Sequence, residues 1–193
     1  MVFPTEHSVM PLEDEQGKRI GWVSVVHDIT ERKQAEDALG ESERRYRGLF
    51  EDSPISLWEE DYSTVKQRLD DLRDQGITDF QSYFESHPEV VAECAKQIRI
   101  KDVNKAALKM YEVENRAGIQ ETLNQILSKD AYGKFRDELV VVAEGRTEFE
   151  RETIEETLTG NRLVVHLRWS VVPGYEDNFS RVIVSIVDIT ERK

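Results

Sequence analysis

The sequence predicts an α+β protein in which helices precede a closing set of antiparallel strands. Three observations carry that reading. From Thr147 onward only strand chemistry appears, with Thr159-Gly160-Asn161 as a hairpin turn between strands at 147–157 and 162–172 and a last strand closing at Val187. Ahead of these strands, apolar residues recur at helical spacing, as in Tyr62, Val65, Leu69 and Leu72. The third observation is a repeat: Asp28-Ile29-Thr30-Glu31-Arg32-Lys33 returns 160 positions later as Asp188-Ile189-Thr190-Glu191-Arg192-Lys193. Each copy follows an apolar, β-branched run, Trp22 to Val26 in the first and Val182 to Val187 in the second. Each therefore reads as a buried strand handing over to a charged helix.

The elements follow in order. Residues 1–33 read as the carboxy-terminal strand fragment of a preceding repeat, because Ser8-Val9-Met10-Pro11 matches Ser170-Val171-Val172-Pro173 ahead of the same junction. A lone two-stranded hairpin is marginal in water, so this fragment is expected to be poorly ordered or docked on a neighbouring molecule. Residues 30–51 read as a helix that opens with a capping pattern, Asp28 to Glu31. Within it Ala35, Leu39, Ser42, Tyr46 and Leu49 form a short heptad seam, which suits a connector and dimerisation helix over 34–52 or a helix laid on its own domain. A strand at Ile55 to Glu59 follows Ser53-Pro54. The helix after it stops at Gly76, Phe80 to Phe84 form a further turn, and Ser86-His87-Pro88-Glu89 opens a helix that buries Val90, Val91, Cys94 and Ala95. Ile98 to Val103 alternate as a strand, Asn104 caps the helix through Tyr111, and Tyr132, Phe135, Leu139 and Val142 stripe the long helix ending at Gly145.

Composition narrows the class. The 193 residues carry a net charge of −13, which argues against a nucleic-acid footprint or direct contact with an anionic membrane. Cys94 is the single cysteine, so an internal disulfide framework is excluded and a cytoplasmic location is expected. No stretch is apolar for long enough to span a bilayer.

In this order of elements the chain resembles the PAS sensor family. The most specific pieces are the two Asp-Ile-Thr-Glu-Arg-Lys junctions, the Asn104-Lys105-Ala106-Ala107 helix start, and the lead-in from Glu43 to Pro54. The resemblance implies a five-stranded antiparallel sheet with helices on one face, a sensor domain over 53–190, and the start of an output helix at 191–193. The chain departs from the family between about 61 and 96, where a helical insertion replaces a tight turn. It further implies a sensory or regulatory module of a multi-domain prokaryotic signalling protein, such as a histidine kinase or a cyclic-dinucleotide enzyme. Neighbouring PAS and output domains, and a homodimer through the 34–52 helix, would be its partners. The alternative is a ligandless dimerisation and transmission domain with a filled core.

The residues discriminate among sharper chemistries. Heme-binding relatives present a His from the long helix, and residues 128–145 contain none; His87 and His166 read as a turn residue and a solvent-facing strand residue. Flavin photochemistry requires a cysteine in an Asn-Cys-Arg context, whereas Cys94 sits in Ala92-Glu93-Cys94-Ala95. No cofactor is therefore predicted, heme and flavin are not expected, and an unidentified small molecule stays open. No metal cluster, phosphate loop or nucleophile elbow is present, so no catalytic residues are assigned and the chain is not expected to be an enzyme. A pocket, if there is one, would be walled by Trp58, Tyr111, Phe135, Leu139, Leu167 and Trp169; the same side chains could equally fill the core. If the strand phase were reversed, His166 and Arg168 would face inward, with Arg99 able to join them. The junction residues Asp28, Thr30, Asp188 and Thr190 are expected to couple sheet to helix, with the aspartates accepting at the strand ends and the threonines capping the helices.

Overall fold

The computed structural model describes residues 3–116, 119 and 131–192. The chain divides into two units, one ending at Leu49 and the other beginning at Phe50. In the first, β1 (Thr5–Glu13) and β2 (Arg19–Asp28) form an antiparallel hairpin, and α1 (Thr30–Glu51) follows. The ladder runs from Thr5 opposite Asp28 to Glu13 opposite Arg19, with a bulge at Leu12/Glu13. The hairpin is fully paired along this ladder. Val9, Met10, Ile20, Trp22 and Val26 nevertheless remain exposed on it, as do Leu39, Tyr46 and Leu49 of the α1 seam.

The second unit contains β3 (Ser56–Asp61), α2 (Ser63–Asp74), α3 (Phe80–Ser86), α4 (Pro88–Gln97), β4 (Arg99–Val103), α5 (Lys105–Met110) and α6 (Ala131–Ala143). It closes with β5 (Glu148–Glu156), β6 (Arg162–Val171), β7 (Val182–Asp188) and a short 3-10 turn at Thr190–Arg192. The five strands form one antiparallel sheet in the order β4-β3-β7-β6-β5. The α+β architecture and its helical insertion are those that the sequence predicts.

Local chemistry explains the element ends. Pro88 starts α4 at a position where its missing N–H costs nothing. Gly76, at φ +94°, takes the left-handed conformation that ends α2. Asp79 caps α3 by accepting from the Ser82 N–H at 3.1 Å. The inserted helices α2, α3 and α4 all pack on α6, so the insertion is part of the helical layer. Their stripes Val65, Leu69, Leu72, Phe80, Phe84, Val90, Val91 and Cys94 join the same core as the sheet.

Asn104 links several elements. It is fully buried, and its Oδ1 accepts from Ala107 N at 2.9 Å, capping α5, and from Leu57 N at 3.1 Å on β3. Its Nδ2 donates to the carbonyls of Ile55 at 2.8 Å, Phe50 at 3.0 Å and Ser53 at 3.4 Å. One side chain thus ties Phe50 and the turn after it to the first strand of the sheet, all within the second unit. The sequence shows its capping role and not its donor role.

Candidate functional site

The two Asp-Ile-Thr junctions have the same local geometry. Asp28 Oδ1 accepts from the Thr30 N–H at 2.9 Å and the Thr30 hydroxyl at 2.6 Å. Asp188 Oδ1 accepts from the Thr190 N–H at 2.8 Å and its hydroxyl at 2.6 Å. The Thr30 contacts, its hydroxyl foremost, hold the Asp28 carboxyl below its ordinary range. At the second junction, Thr190 Oγ1 also accepts from Val164 N at 3.0 Å, and Ile189 N donates to Val164 O at 2.8 Å. The chain leaving β7 is thereby fastened to β6. Aspartate supplies the capping acceptor at both junctions, while the Thr190 oxygen turns back to the sheet instead of capping the helix.

The six candidate pocket residues occupy one core cluster between sheet and helices. Trp58, Tyr111, Phe135, Leu139, Leu167 and Trp169 are all buried. Trp58 and Tyr111 meet edge to face with centroids 5.4 Å apart, and Trp169 lies 6.2 Å from Tyr62 and 6.0 Å from Phe149. On β6 the buried set is Val165, Leu167, Trp169 and Val171, with Arg168 exposed and His166 intermediate. Arg99 is exposed on β4. The reversed phase, with Arg168 and His166 facing inward, does not occur.

The structure adds a polar group to this interior that sequence reasoning missed. Glu60 follows Ser56 and Trp58 on the inward face of β3, and Glu138 lies beside Leu139 on the buried side of α6. Arg151 Nη2 donates to Glu138 Oε1 at 2.8 Å, joining β5 to α6. The Tyr111 hydroxyl donates to the Glu155 carboxylate, and the Tyr62 hydroxyl bonds Glu60. Burial above all, and then the Glu138 charge, push Glu60 up to about 8. Burial likewise raises Glu138 to about 7, with Arg151 opposing it. The Trp169 indole N–H is buried and aimed at the Glu138 carboxylate, favouring its charged form without closing a full hydrogen bond. A signal for both glutamates was available: Glu60 keeps the period of two with Ser56 and Trp58, and Glu138 falls at helical spacing between Phe135 and Val142.

The remaining candidates lie elsewhere. His87 Nδ1 sits 2.9 Å from the Tyr83 carbonyl oxygen, and its ring stacks on Tyr83 at 4.3 Å. Cys94 is buried on α4, and burial pushes its thiol up to about 11. Among the described residues no three His, Cys, Asp or Glu side chains are grouped to hold a metal ion, and no helix is long and apolar enough to cross a membrane.

Comparison with known proteins places this geometry. The PAS fold family matches residues 84–193, and a PAS domain family matches residues 2–31. The chain is 39% identical over 44 residues to the uncharacterized protein y4lL of Sinorhizobium fredii, a match covering 23% of this chain and 5% of that protein. Among solved structures it is similar to a PAS domain from Colwellia psychrerythraea, with 13% identity, coverage of 77% of this chain and 98% of that chain, and a TM-score of 0.50. It is also similar to an RsLOV point variant, with 12% identity, coverage of 77% and 68%, and a TM-score of 0.50.

The LOV likeness corrects one expectation. Flavin was set aside, and no cofactor predicted, because Cys94 lacks the photochemical context; yet flavin-binding LOV domains share this chain's fold. The physical reason is that a cysteine test addresses adduct chemistry alone. Holding a planar ring system depends on the interior between sheet and helices and not on a cysteine. The expectation of no cofactor therefore does not stand.

Domains of this fold sense and regulate rather than catalyse. With more than half of its length matched, the chain belongs to the PAS fold family and is a sensory or regulatory module of a signalling protein.

Proposed function

We propose that the chain is a relay segment in a series of PAS repeats, passing the state of its sensor domain to an output domain through Asp-Ile-Thr-linked helices. In this reading residues 1–33 end a preceding repeat, 34–52 connect and dimerise, 53–190 form the sensor with its insertion at about 61–96, and 191–193 begin the output helix. The observation that carries it is the matching pair of junctions, where Asp28 and Asp188 hold Thr30 and Thr190 by the same two bonds. The Thr190 link to Val164 supports mechanical coupling, because a shift of β6 or β7 displaces the departing turn directly. The exposed Leu39, Tyr46 and Leu49 on one α1 seam support a homodimer. The output is of histidine kinase or cyclic-dinucleotide enzyme type, a reading that rests on the resemblance alone.

The cluster of Trp58, Tyr111, Phe135, Leu139, Leu167 and Trp169 is proposed as the wall of a small-molecule site. Apolar walls with a few convergent polar groups, here Glu60, Glu138 and Arg151, suit that role. Asp188→Ala in the full-length protein tests the relay. Regulated output is expected to fall while the sensor domain still folds; unchanged regulated and basal output would sink the idea. Absorbance spectra and mass spectrometry of molecules released on denaturation test the pocket, and a blank in both, with no metabolite raising the melting temperature, counts against it.

A further inference from the structure

The two junctions share their Asp–Thr bonds and their place in the ladder, yet they differ at one residue of the neighbouring strand. The last cross-strand pair of β6 and β7 is Val165 with Asp188, and that of β1 and β2 is Thr5 with Asp28. Val164 and Pro4 are therefore equivalent, each directly preceding its paired residue. Their carbonyls are used alike: Ile189 N donates to Val164 O at 2.8 Å, and Ile29 N to Pro4 O at 3.1 Å. The next bond is not shared. Val164 N donates to Thr190 Oγ1 at 3.0 Å, whereas proline has no N–H with which to meet Thr30.

At Asp188 the ladder is continued by one step, with the Thr190 hydroxyl standing where a backbone carbonyl would accept. A hydroxyl can donate once and still accept. Thr190 donates to Asp188 Oδ1 at 2.6 Å and accepts from Val164, so one side chain joins the end of β7 to β6. At Asp28 the Thr30 hydroxyl makes the same donation at 2.6 Å, and position 4 offers it no donor. Two bonds to one residue, from its carbonyl and its N–H, fix both the position and the direction of the departing chain. A bond to the carbonyl alone leaves it free to turn about that point.

We propose that Val164 and Thr190 form a two-point clamp that makes the turn after β7 follow β6, and that Pro4 leaves the equivalent joint after β2 a one-point hinge. Val164 and Thr190 are positioning residues in this scheme. The turn at Thr190 moves with the sheet of the second unit, while α1 keeps freedom about Ile29. The regulatory consequence rests on the relay reading: the sensor's own state leaves through the stiff joint, and that of a preceding repeat enters through the compliant one.

The test is amide hydrogen exchange in this chain. Val164→Pro places the first junction's residue in the second, keeping the carbonyl and removing the N–H. That N–H points to Thr190, so the ladder between β5 and β6 keeps its bonds. One hydrogen bond shifts a local opening equilibrium by about fivefold, so the Ile189 amide is expected to exchange about fivefold faster. Val184, in the middle of β7, is expected to keep its rate. An unchanged Ile189, or an equal acceleration at Val184, overturns the clamp. Thr190→Val and Thr190→Ser serve if the proline variant does not fold. The Val164 amide is then expected to exchange about fivefold faster with valine and at the wild-type rate with serine. Equal rates in the two variants overturn the clamp as well.

Pro4→Val tests the hinge from the other side. The amide introduced at position 4 is expected to exchange about fivefold more slowly with Thr30 in place than with Thr30→Val added. Equal rates overturn the role given to Pro4. In the full-length protein Val164→Pro is expected to narrow the regulated range of output. An unchanged range beside an accelerated Ile189 overturns the link to output. Failure of the relay reading is separately visible, as unchanged output in Asp188→Ala with the exchange responses at Val164 and Ile189 intact.

Discussion

Replacing Asn104 tests what one buried side chain contributes to the start of the second unit. The side chain is fully buried, with two acceptor contacts and a donor group shared among three carbonyls. Asn104→Ala removes the α5 cap, worth about 1 kcal/mol. It also takes one hydrogen-bond partner each from the Leu57 N–H and from the Phe50 and Ile55 carbonyls, the last of which keeps the Ser53 hydroxyl at 3.3 Å, at roughly 1 kcal/mol apiece. The expected loss is about 4 kcal/mol, at the upper end for a single substitution. Asn104→Asp separates the two halves of the role. It keeps the acceptor for Ala107 and Leu57 but turns an oxygen toward three carbonyl oxygens, so a loss of about 3 kcal/mol is expected despite an improved cap. Urea unfolding followed by far-ultraviolet circular dichroism measures both. If Asn104→Asp stays within about 1 kcal/mol of wild type, the donor bonds contribute little and the reasoning fails.

Two further outcomes follow from the buried groups. Arg151→Met removes the partner of Glu138 in a pair whose side chains are 19% and 7% exposed, and a cost of about 3 kcal/mol is expected at pH 8.5. Without Arg151 the Glu138 carboxyl rises further, so the penalty is lost as pH falls and the acid takes its proton; equal penalties at pH 5.5 and 8.5 contradict this. Cys94, buried and with its thiol raised to about 11, is expected to react with a thiol reagent at pH 8 at least about 100-fold more slowly folded than in urea. Folded and unfolded rates within about tenfold of each other would contradict that placement.

Much of the fold was legible because its elements carry strong periods. Val165, Leu167, Trp169 and Val171 alternate with polar residues, which set the β6 phase before any contact was known. The stripes of α2 and α4 sorted the insertion into amphipathic helices, and the repeated Asp-Ile-Thr marked both junctions. The interior polar group was less accessible. The strand read from the sequence stops at Glu59, one residue short of Glu60. Arg151 alternates with Glu150 and Glu152 beside Phe149 with no sign of a buried partner, although both Glu60 and Arg151 occupy inward positions. An alternating pattern names the face a residue shares, and a charged residue on an apolar face is easily assigned to the strand's end instead.

What the sequence determined by itself was therefore local: the helices and strands, their buried faces, and the two equivalent junctions, all set by spacings of two to four residues. The tertiary structure decided the meetings. Glu60 lies on β3, far along the chain from Glu138 on α6 and from Arg151 and Glu155 on β5, and the Thr190 oxygen meets Val164 on the neighbouring strand. Burial and charge repulsion depend on which faces are pressed together, and that follows from the sheet order β4-β3-β7-β6-β5 and the seat of α6 upon it. Period fixes direction within an element, whereas packing alone determines what lies opposite.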